Sequence, residues 1–303
     1  MRYWYLLKLL RRWGWLKKVT PHRGKLLWKV FLGHATLPLQ VEPSSPPVEL
    51  SITLPNLYGL LLLRQAGLKP RVEKSDELRW ELAPGRFFHT RLATGMDLMT
   101  LYEIFVRQDY GSDFSNKVVL DVGAYNGDSA VFFALRGAKK VIALEPFPPS
   151  YSLAEANIAR MNLQDKIILI HGALGVEDGQ AAFRVASGEP DANTLAPTTL
   201  TQRLITFDEV IEVPVYSLGK LMQAYGPFDF VKLDCEGCEF AVIEKTPEAI
   251  LKAIPTWHIE YHASPRPLEA RLNALGFQTQ RTMDRFGLGY LWAHKAETTA
   301  LKA

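Results

Sequence analysis

Cysteine is nearly absent: the 303 residues include only Cys235 and Cys238. Two are too few to build a fold from disulfides. Their C-x-x-C spacing suits redox or metal chemistry only in the right context, and no second cysteine pair completes a zinc site. They are expected to be ordinary small buried residues. Long apolar runs are also missing. The longest is the Leu60–Leu63 cluster after Gly59, far short of a membrane span. No secretory leader is evident, because Lys8, Arg11 and Arg12 interrupt what would be its apolar core. The cytoplasm is the expected compartment. No internal repeat is visible. Acidic residues are absent from residues 1–41, which carry nine basic ones: Arg2, Lys8, Arg11, Arg12, Lys17, Lys18, Arg23, Lys25 and Lys29. The formal net charge of +3 hides this, since the remainder holds 26 basic and 32 acidic residues. With 48% hydrophobic and 22% charged residues, the composition excludes wholesale disorder.

The first twenty residues read as one helix. Tyr3, Tyr5, Leu6, Leu7, Leu9, Leu10, Trp13 and Leu16 share a broad arc, and Lys8, Arg11, Arg12 and Lys18 lie opposite. A basic amphipathic helix with interfacial aromatics fits an anionic membrane surface through residues 1–30. It equally fits a helix docked on the catalytic domain or on another subunit. Nucleic acid is not an expected partner, since no binding motif accompanies the charge. Pro43-Ser44-Ser45-Pro46-Pro47 reads as a linker. Residues 48–92 look β-rich, with a hairpin turn at Pro84-Gly85. Residues 97–108 have helical periodicity. The expected domains are a basic arm (1–42), a small β-rich cap (48–95) and a catalytic domain (96–297).

From residue 117 strands and helices alternate. Lys117–Val122, Lys140–Glu145, Ile167–Ile170, Phe228–Leu233 and Thr256–Tyr261 read as buried parallel strands. Helices are expected over 126–136, 150–162, 217–225, 239–252 and 266–275. Extended excursions fall at 181–186 and 211–216, and two last strands, near 277–282 and 289–295, flank a turn at Asp284–Gly287. The pattern predicts an α/β doubly wound, Rossmann-like sheet.

Asp121-Val122-Gly123-Ala124-Tyr125-Asn126-Gly127-Asp128 joins the first of these strands to a helix. This is where such sheets bind ligands. Glu145 ends the next strand, where an acid can accept from a ribose diol. A dinucleotide fingerprint would need glycine where Tyr125 stands, because pyrophosphate lies on bare backbone there. Asp121 and Asp128 would repel a pyrophosphate. They suit a cofactor with an ammonium and a sulfonium, which S-adenosylmethionine has.

LDVGAYNGDSAVFFALRGAKKVIALEPFPPSY, followed by FDFVKLDCEGCEFAVIE and HIEYH, resembles the FkbM family of S-adenosylmethionine-dependent methyltransferases. The resemblance spans roughly residues 95–295. It implies a seven-stranded methyltransferase sheet, mostly parallel with an antiparallel last strand. It also implies O-methylation of sugars, polyketides or related hydroxylated metabolites, so a small-molecule or glycolipid acceptor is expected. By position, Asp121, Gly123, Ala124, Asn126 and Asp128 would surround the methionine moiety. Glu145 would hold the ribose with Phe147 close by, and Ala173 would meet the adenine edge. Asp128 could instead only stabilise a helix N-terminus, and His171 could simply end a strand. Asp234, Glu260 and His262, with Glu236, would converge on the acceptor. Asp234 would lie by the sulfonium, and His262 is a candidate general base. Asp234 and Glu260 could alternatively hold Mg²⁺. Glu236 and Glu239 could be purely structural. The rival functions are a nucleotide-dependent oxidoreductase and a membrane-associated, non-catalytic binding protein on the same sheet.

Overall fold

A computed structural model describes residues 2–16, 20, 23–32, 36–39, 41, 47–186, 193–195, 197, 206–285 and 288–295. The expected linker at 43–46, Lys17, Lys18, most of the stretch 187–205 and the turn residues 286–287 lie outside them. The chain divides into two compact units. Among the described residues, the first comprises everything up to Gly111 together with Ala156–Asn162, and the second the remainder.

The first unit opens with α1 (Arg2–Arg11), α2 (Trp13–Leu16) and α3 (Arg23–Leu32), not with one long helix. Arg12 N donates to Leu9 O in a tight turn that ends α1. The arc read from the sequence is split. Leu9 and Leu16 are buried, whereas Leu7 and Leu10 are exposed; on α3, Leu26 is buried and Trp28 exposed. Arg12 reaches the Tyr58 hydroxyl and the Gln65 amide, and Lys8 lies 5.0 Å from the centre of the Tyr58 ring. The arm is thus held to the unit by leucine burial and by its own cations.

A two-stranded antiparallel sheet follows, β1 (Thr36–Leu39) with β2 (Val48–Ser51). The next segment departs from the expected β-rich cap, because Leu54–Gln65 forms a helix, α4. Thr53 caps it by accepting from Asn56 N, and Pro55 sits in its first turn. Its residues Asn56–Leu63 are buried without interruption. A helix covered all round shows no amphipathic period, so its signal is lost in an apolar run. Asn56 ties it down: its amide donates to Leu92 O at 3.1 Å and accepts from Leu98 N at 2.9 Å. The expected hairpin is present as β4 (Glu77–Ala83) and β5 (Arg86–Arg91), with β3 (Pro70–Lys74) on the outer side of β4. The helix α5 (Asp97–Tyr102) then runs on into a wider turn over Glu103–Arg107.

The second unit is built on a seven-stranded sheet. In chain order its strands are β6 (Val118–Val122), β7 (Lys140–Glu145), β8 (Ile167–His171), β12 (Phe230–Leu233), β13 (Thr256–Tyr261), β14 (Phe277–Arg285) and β15 (Leu288–Lys295). Their spatial order is β14-β15-β13-β12-β6-β7-β8. Only β15 runs antiparallel to its neighbours, inserted between β13 and β14. This is the expected Rossmann-like methyltransferase sheet. The short strands β9 (Ala173–Gly175), β10 (Gly179–Val185) and β11 (Glu209–Ser217) form a separate sheet. The helices are α6 (Asp128–Leu135), α7 (Pro148–Arg160, its last turns counted with the first unit), α8 (Leu218–Tyr225), α9 (Cys238–Lys245), α10 (Glu248–Ala253) and α11 (Arg266–Ala274). The single helix expected over 239–252 is divided, because Pro247 lacks the N–H that a continuing helix needs. Chain order reverses between β6 and β12, so their carboxyl ends form the switch point of the sheet.

In the first unit, Gly59 of α4 has no room for a side chain. A Cβ there would lie 2.6 Å from the Leu98 carbonyl carbon and 2.8 Å from Leu98 Cβ. Gly59→Ala should therefore destabilise the fold by about 1–3 kcal/mol despite its better helix propensity. A lower apparent Tm is the expected outcome, and an unchanged or raised Tm would refute the close packing of α4 on α5.

Candidate active site

The turn after β6 is shaped by a close approach. Gly123 has φ +78°, and a Cβ on it would fall 1.9 Å from the Asp234 carbonyl oxygen at the end of β12. No other residue fits there. Gly123 N and Ala124 N both donate to Leu144 O, and Tyr125 N donates to Glu145 Oε2 at 2.8 Å. Gly127 N turns back to Ala124 O. At the start of α6, Asp128 N donates to Asn126 Oδ1 and Ser129 N to Asp128 Oδ1. These donors are all spent on partners within or directly beneath the loop. A pyrophosphate needs such N–H groups free at a helix start, so the loop does not fit a dinucleotide.

The acids around it fit a cation. Glu145 is clamped at the end of β7, with Oε1 accepting from Phe147 N and Oε2 from Tyr125 N, both at 2.8 Å. Asp121 is fully buried; Oδ2 accepts from Ser129 Oγ at 2.7 Å. Burial pushes its pKa up, opposed by Lys232 and Ser129. Asn126, Ala124 and Asp128 are likewise buried. The chemistry of the donor set, acidic with its amides turned inward, fits the ammonium, sulfonium and ribose of S-adenosylmethionine. Phe147 lies farther along, packed on a small apolar cluster of Ala173, Phe183, Val185 and Val213. Phe147, expected close to the ribose, and Ala173, expected at the adenine edge, thus share one apolar cluster.

Under the turn lies Lys232, which the sequence reading did not assign to the site. Its ammonium donates to Gly123 O at 2.6 Å and Val122 O at 3.2 Å, and it pairs with Asp234 and Asp121 at 3.2 and 3.4 Å. Burial alone would lower its pKa, but Asp234, Asp121 and Asp128 raise it, so it stays charged. A lysine inside an otherwise apolar parallel strand, Phe-Val-Lys-Leu, was the available signal.

At the ends of β12 and β13, three carboxylates gather round His262. Its Nε2 lies 3.1 Å from Glu236 and 4.0 Å from Glu260, and its Nδ1 lies 3.3 Å from Glu239. Glu239 also accepts from Gly237 N at 2.7 Å and His262 N at 3.2 Å. Burial works to lower the His262 pKa, but Glu236 and Glu239 override it and hold the ring well above its usual value. Burial raises the Glu236 pKa, and His262 opposes the rise. Thr194 Oγ1 donates to Glu236 O at 2.6 Å, so a residue without any motif also reaches the cluster.

Asp234, Glu236 and His262 each offer an atom within 4.8 Å of the others, a spacing a divalent ion could use. Both ring nitrogens of His262 are engaged by carboxylates, however, and a protonated imidazole has no lone pair to give. The set as folded does not fit a metal. The cysteines depart from expectation: Cys235 and Cys238 are joined in a disulfide. Positive φ at Glu236 (56°) and Gly237 (127°) curls the segment back on itself, bringing the two Cα atoms to 5.5 Å, within bonding range.

Residues 121–284 match the sequence model of the methyltransferase FkbM domain. A ribosomal protein L11 methyltransferase of Carboxydothermus hydrogenoformans is 34% identical over 116 residues, 38% of this chain and 36% of that protein. A ribosomal protein L11 methyltransferase of Chloroflexus aurantiacus is 36% identical over 80 residues, 26% of this chain and 24% of that protein. The chain thus spans about a third or less of the curated relatives it matches. Among solved structures, a ribosomal protein L11 methylase from Lactobacillus delbrueckii subsp. bulgaricus aligns with TM-score 0.38 and 16% identity, covering 67% of this chain and 80% of that one. An O-methyltransferase from Bacillus cereus, in complex with SAH, gives TM-score 0.34 and 17% identity, covering 59% and 74%. The match to the family runs over more than half of the chain, from the aspartate beneath the loop to the last hairpin: the protein belongs to the FkbM methyltransferase domain family.

Proposed function

We propose that the protein transfers the methyl group of S-adenosylmethionine to a hydroxyl oxygen of a sugar, glycolipid or related polar metabolite. The observation that carries this reading is the loop at 123–129, whose N–H groups turn inward while carboxylates surround it. That arrangement favours a cationic cofactor with a ribose, and it disfavours the oxidoreductase alternative. When bound, the cofactor supplies a methyl carbon on a positively charged sulfur, which leaves with the bond's electron pair and needs no acid. In this reading Glu145 binds the ribose hydroxyls with Phe147 close by, Asp121 and Asp128 set the charge under the methionine end, and Ala173 meets the adenine edge. Residues 96–297 act as the catalytic domain, with 48–95 as a cap and 1–42 as an arm.

The protein's remaining task is to orient the acceptor and take its proton. Three carboxylates here are partly open: Asp234, Glu236 and Glu260, with side chains 24%, 21% and 28% exposed. Glu239 and Asp121 are closed off. Glu236 is the best base, because burial raises its affinity for a proton and His262 fixes it in place. His262 enters as the cation that positions Glu236, while Asp234 and Glu260 bind and orient the acceptor. The L11 and histone-arginine methyltransferases among the relatives carry protein acceptors in their names. A hydroxyl acceptor must lose its proton, and the Glu236–His262–Glu239 row places a carboxylate to take it.

The exposed Leu7, Leu10 and Trp28, set among the arm's cations, support a second part of the reading: the arm rests on an anionic lipid surface at the inner membrane face, where a glycolipid acceptor would be found. None of the described helices is long and apolar enough to cross a membrane.

Labelled S-adenosylmethionine and fractionated cell extract test the activity. Label should enter a hydroxylated acceptor, and Glu236→Gln should slow transfer by about 10²–10⁴ while cofactor affinity holds. Label on protein or RNA alone would refute the acceptor class. Full-length protein should co-sediment with phosphatidylglycerol vesicles and not with phosphatidylcholine vesicles, and Leu7→Glu with Trp28→Glu should abolish it. No sedimentation of the unaltered chain would end the membrane reading. His262 gives a pH test. Its folded pKa is raised, so its stabilisation is full below the unfolded value of about 6.5 and fades as pH rises through the folded value. His262→Gln leaves two carboxylates without their cation and should cost about 3 kcal/mol near neutral pH. The difference in Tm from the unaltered protein should shrink toward alkaline pH; a constant difference would show that His262 is not held charged.

A further inference from the structure

We infer that Lys232 is a positioning residue whose buried ammonium, lodged under the Gly123 turn, sets how strongly the site discriminates the positively charged S-adenosylmethionine from its uncharged by-product, S-adenosylhomocysteine. The inference rests on the cofactor reading above. Lys232 is 2% exposed and cannot swing into solvent. An ammonium has three N–H donors. Four acceptors surround this one: the carbonyls of Val122 and Gly123 and the carboxylates of Asp121 and Asp234. It therefore fixes the floor of the loop and sits in its electrostatics at the same time.

The charge matters because methyl transfer abolishes a positive charge. Carboxylates near the sulfur stabilise the charged reactant more than a transition state in which that charge is fading. Asp234 and Glu145 at the site, with Asp121 and Asp128 buried behind the loop, would hold the reactant form too well if nothing offset them. Lys232 is the buried cation placed to do so, paired directly with two of those acids. Its field is weakly screened in the interior, unlike that of a surface lysine. It lets the acids align the cofactor without binding its charge excessively.

The test is isothermal titration of the full chain with each of the two compounds. The unaltered protein should bind both. Lys232→Met should raise the ratio of the homocysteine to the methionine dissociation constant by about threefold or more. Lys232→Arg keeps the charge and should leave the ratio near its starting value, even if both affinities fall. Asp121→Asn removes a carboxylate while keeping the ammonium, so it should move the ratio the other way. It also tests the idea should Lys232→Met fail to fold. Equal weakening toward both compounds in Lys232→Met or in Asp121→Asn would overturn the inference and leave Lys232 a structural brace. Absence of binding to either compound by the unaltered protein would instead overturn the cofactor reading itself.

Discussion

Everything at the switch point depends on how near the ends of β6 and β12 come to each other. The Asp234 carbonyl occupies the space where a side chain at position 123 would be. This single approach has three consequences. It demands glycine at 123 in a left-handed conformation. It brings Asp234 against the loop rather than out into solvent. It also closes a pocket around the Lys232 ammonium, which then satisfies the carbonyls that the turn leaves exposed. A buried lysine is costly unless paired, and breaking such a pair leaves the partner acids stranded. The loop, the strand end and the ion cluster are therefore one unit, and a change at any of them is felt at the others.

The parts of the fold that were legible in the sequence share a property: their hydrophobic pattern is local. Lys140–Glu145 and Thr256–Tyr261 are short apolar runs between turn residues, and they form strands with those bounds. The loop from Asp121 to Asp128 was legible because glycines and acids in a strand-to-helix junction have few other uses. What escaped was decided by tertiary surroundings. The α4 helix is apolar on every side, so its period is invisible, and only Thr53 and Pro55 mark its start. The division between α9 and α10 is marked in the sequence by Pro247. Lys232 escaped for the opposite reason, since a single lysine in a strand says nothing about which carbonyls it will meet.

The charge state of His262 belongs to the same class. Its sequence neighbours Glu260 and Tyr261 suggest a base at a strand end. Glu236 and Glu239 arrive from the turn after β12 and from α9, over twenty residues away. Their approach converts a residue that titrates near neutrality into a cation at neutral pH. A histidine's role in a site is thus set less by its own position than by how many carboxylates the topology delivers to its two nitrogens.

An acid-lined site must also survive its own repulsion. Six carboxylates, Asp121, Asp128, Asp234, Glu236, Glu239 and Glu260, are arranged round two buried cations, Lys232 and His262. The way they are partnered divides them. Asp121 and Glu239 are enclosed and spend their oxygens on Ser129, Gly237, His262 and Lys232, so they cost least as fixed structure. Asp234, Glu236 and Glu260 sit partly open, each beside one of the two cations. Two cations stand against six acids, and burial answers part of the repulsion by raising the proton affinity of Asp121 and Glu236. The carboxylates that hold the site together and those available to a ligand are thus separated by burial alone, within the same few residues of chain.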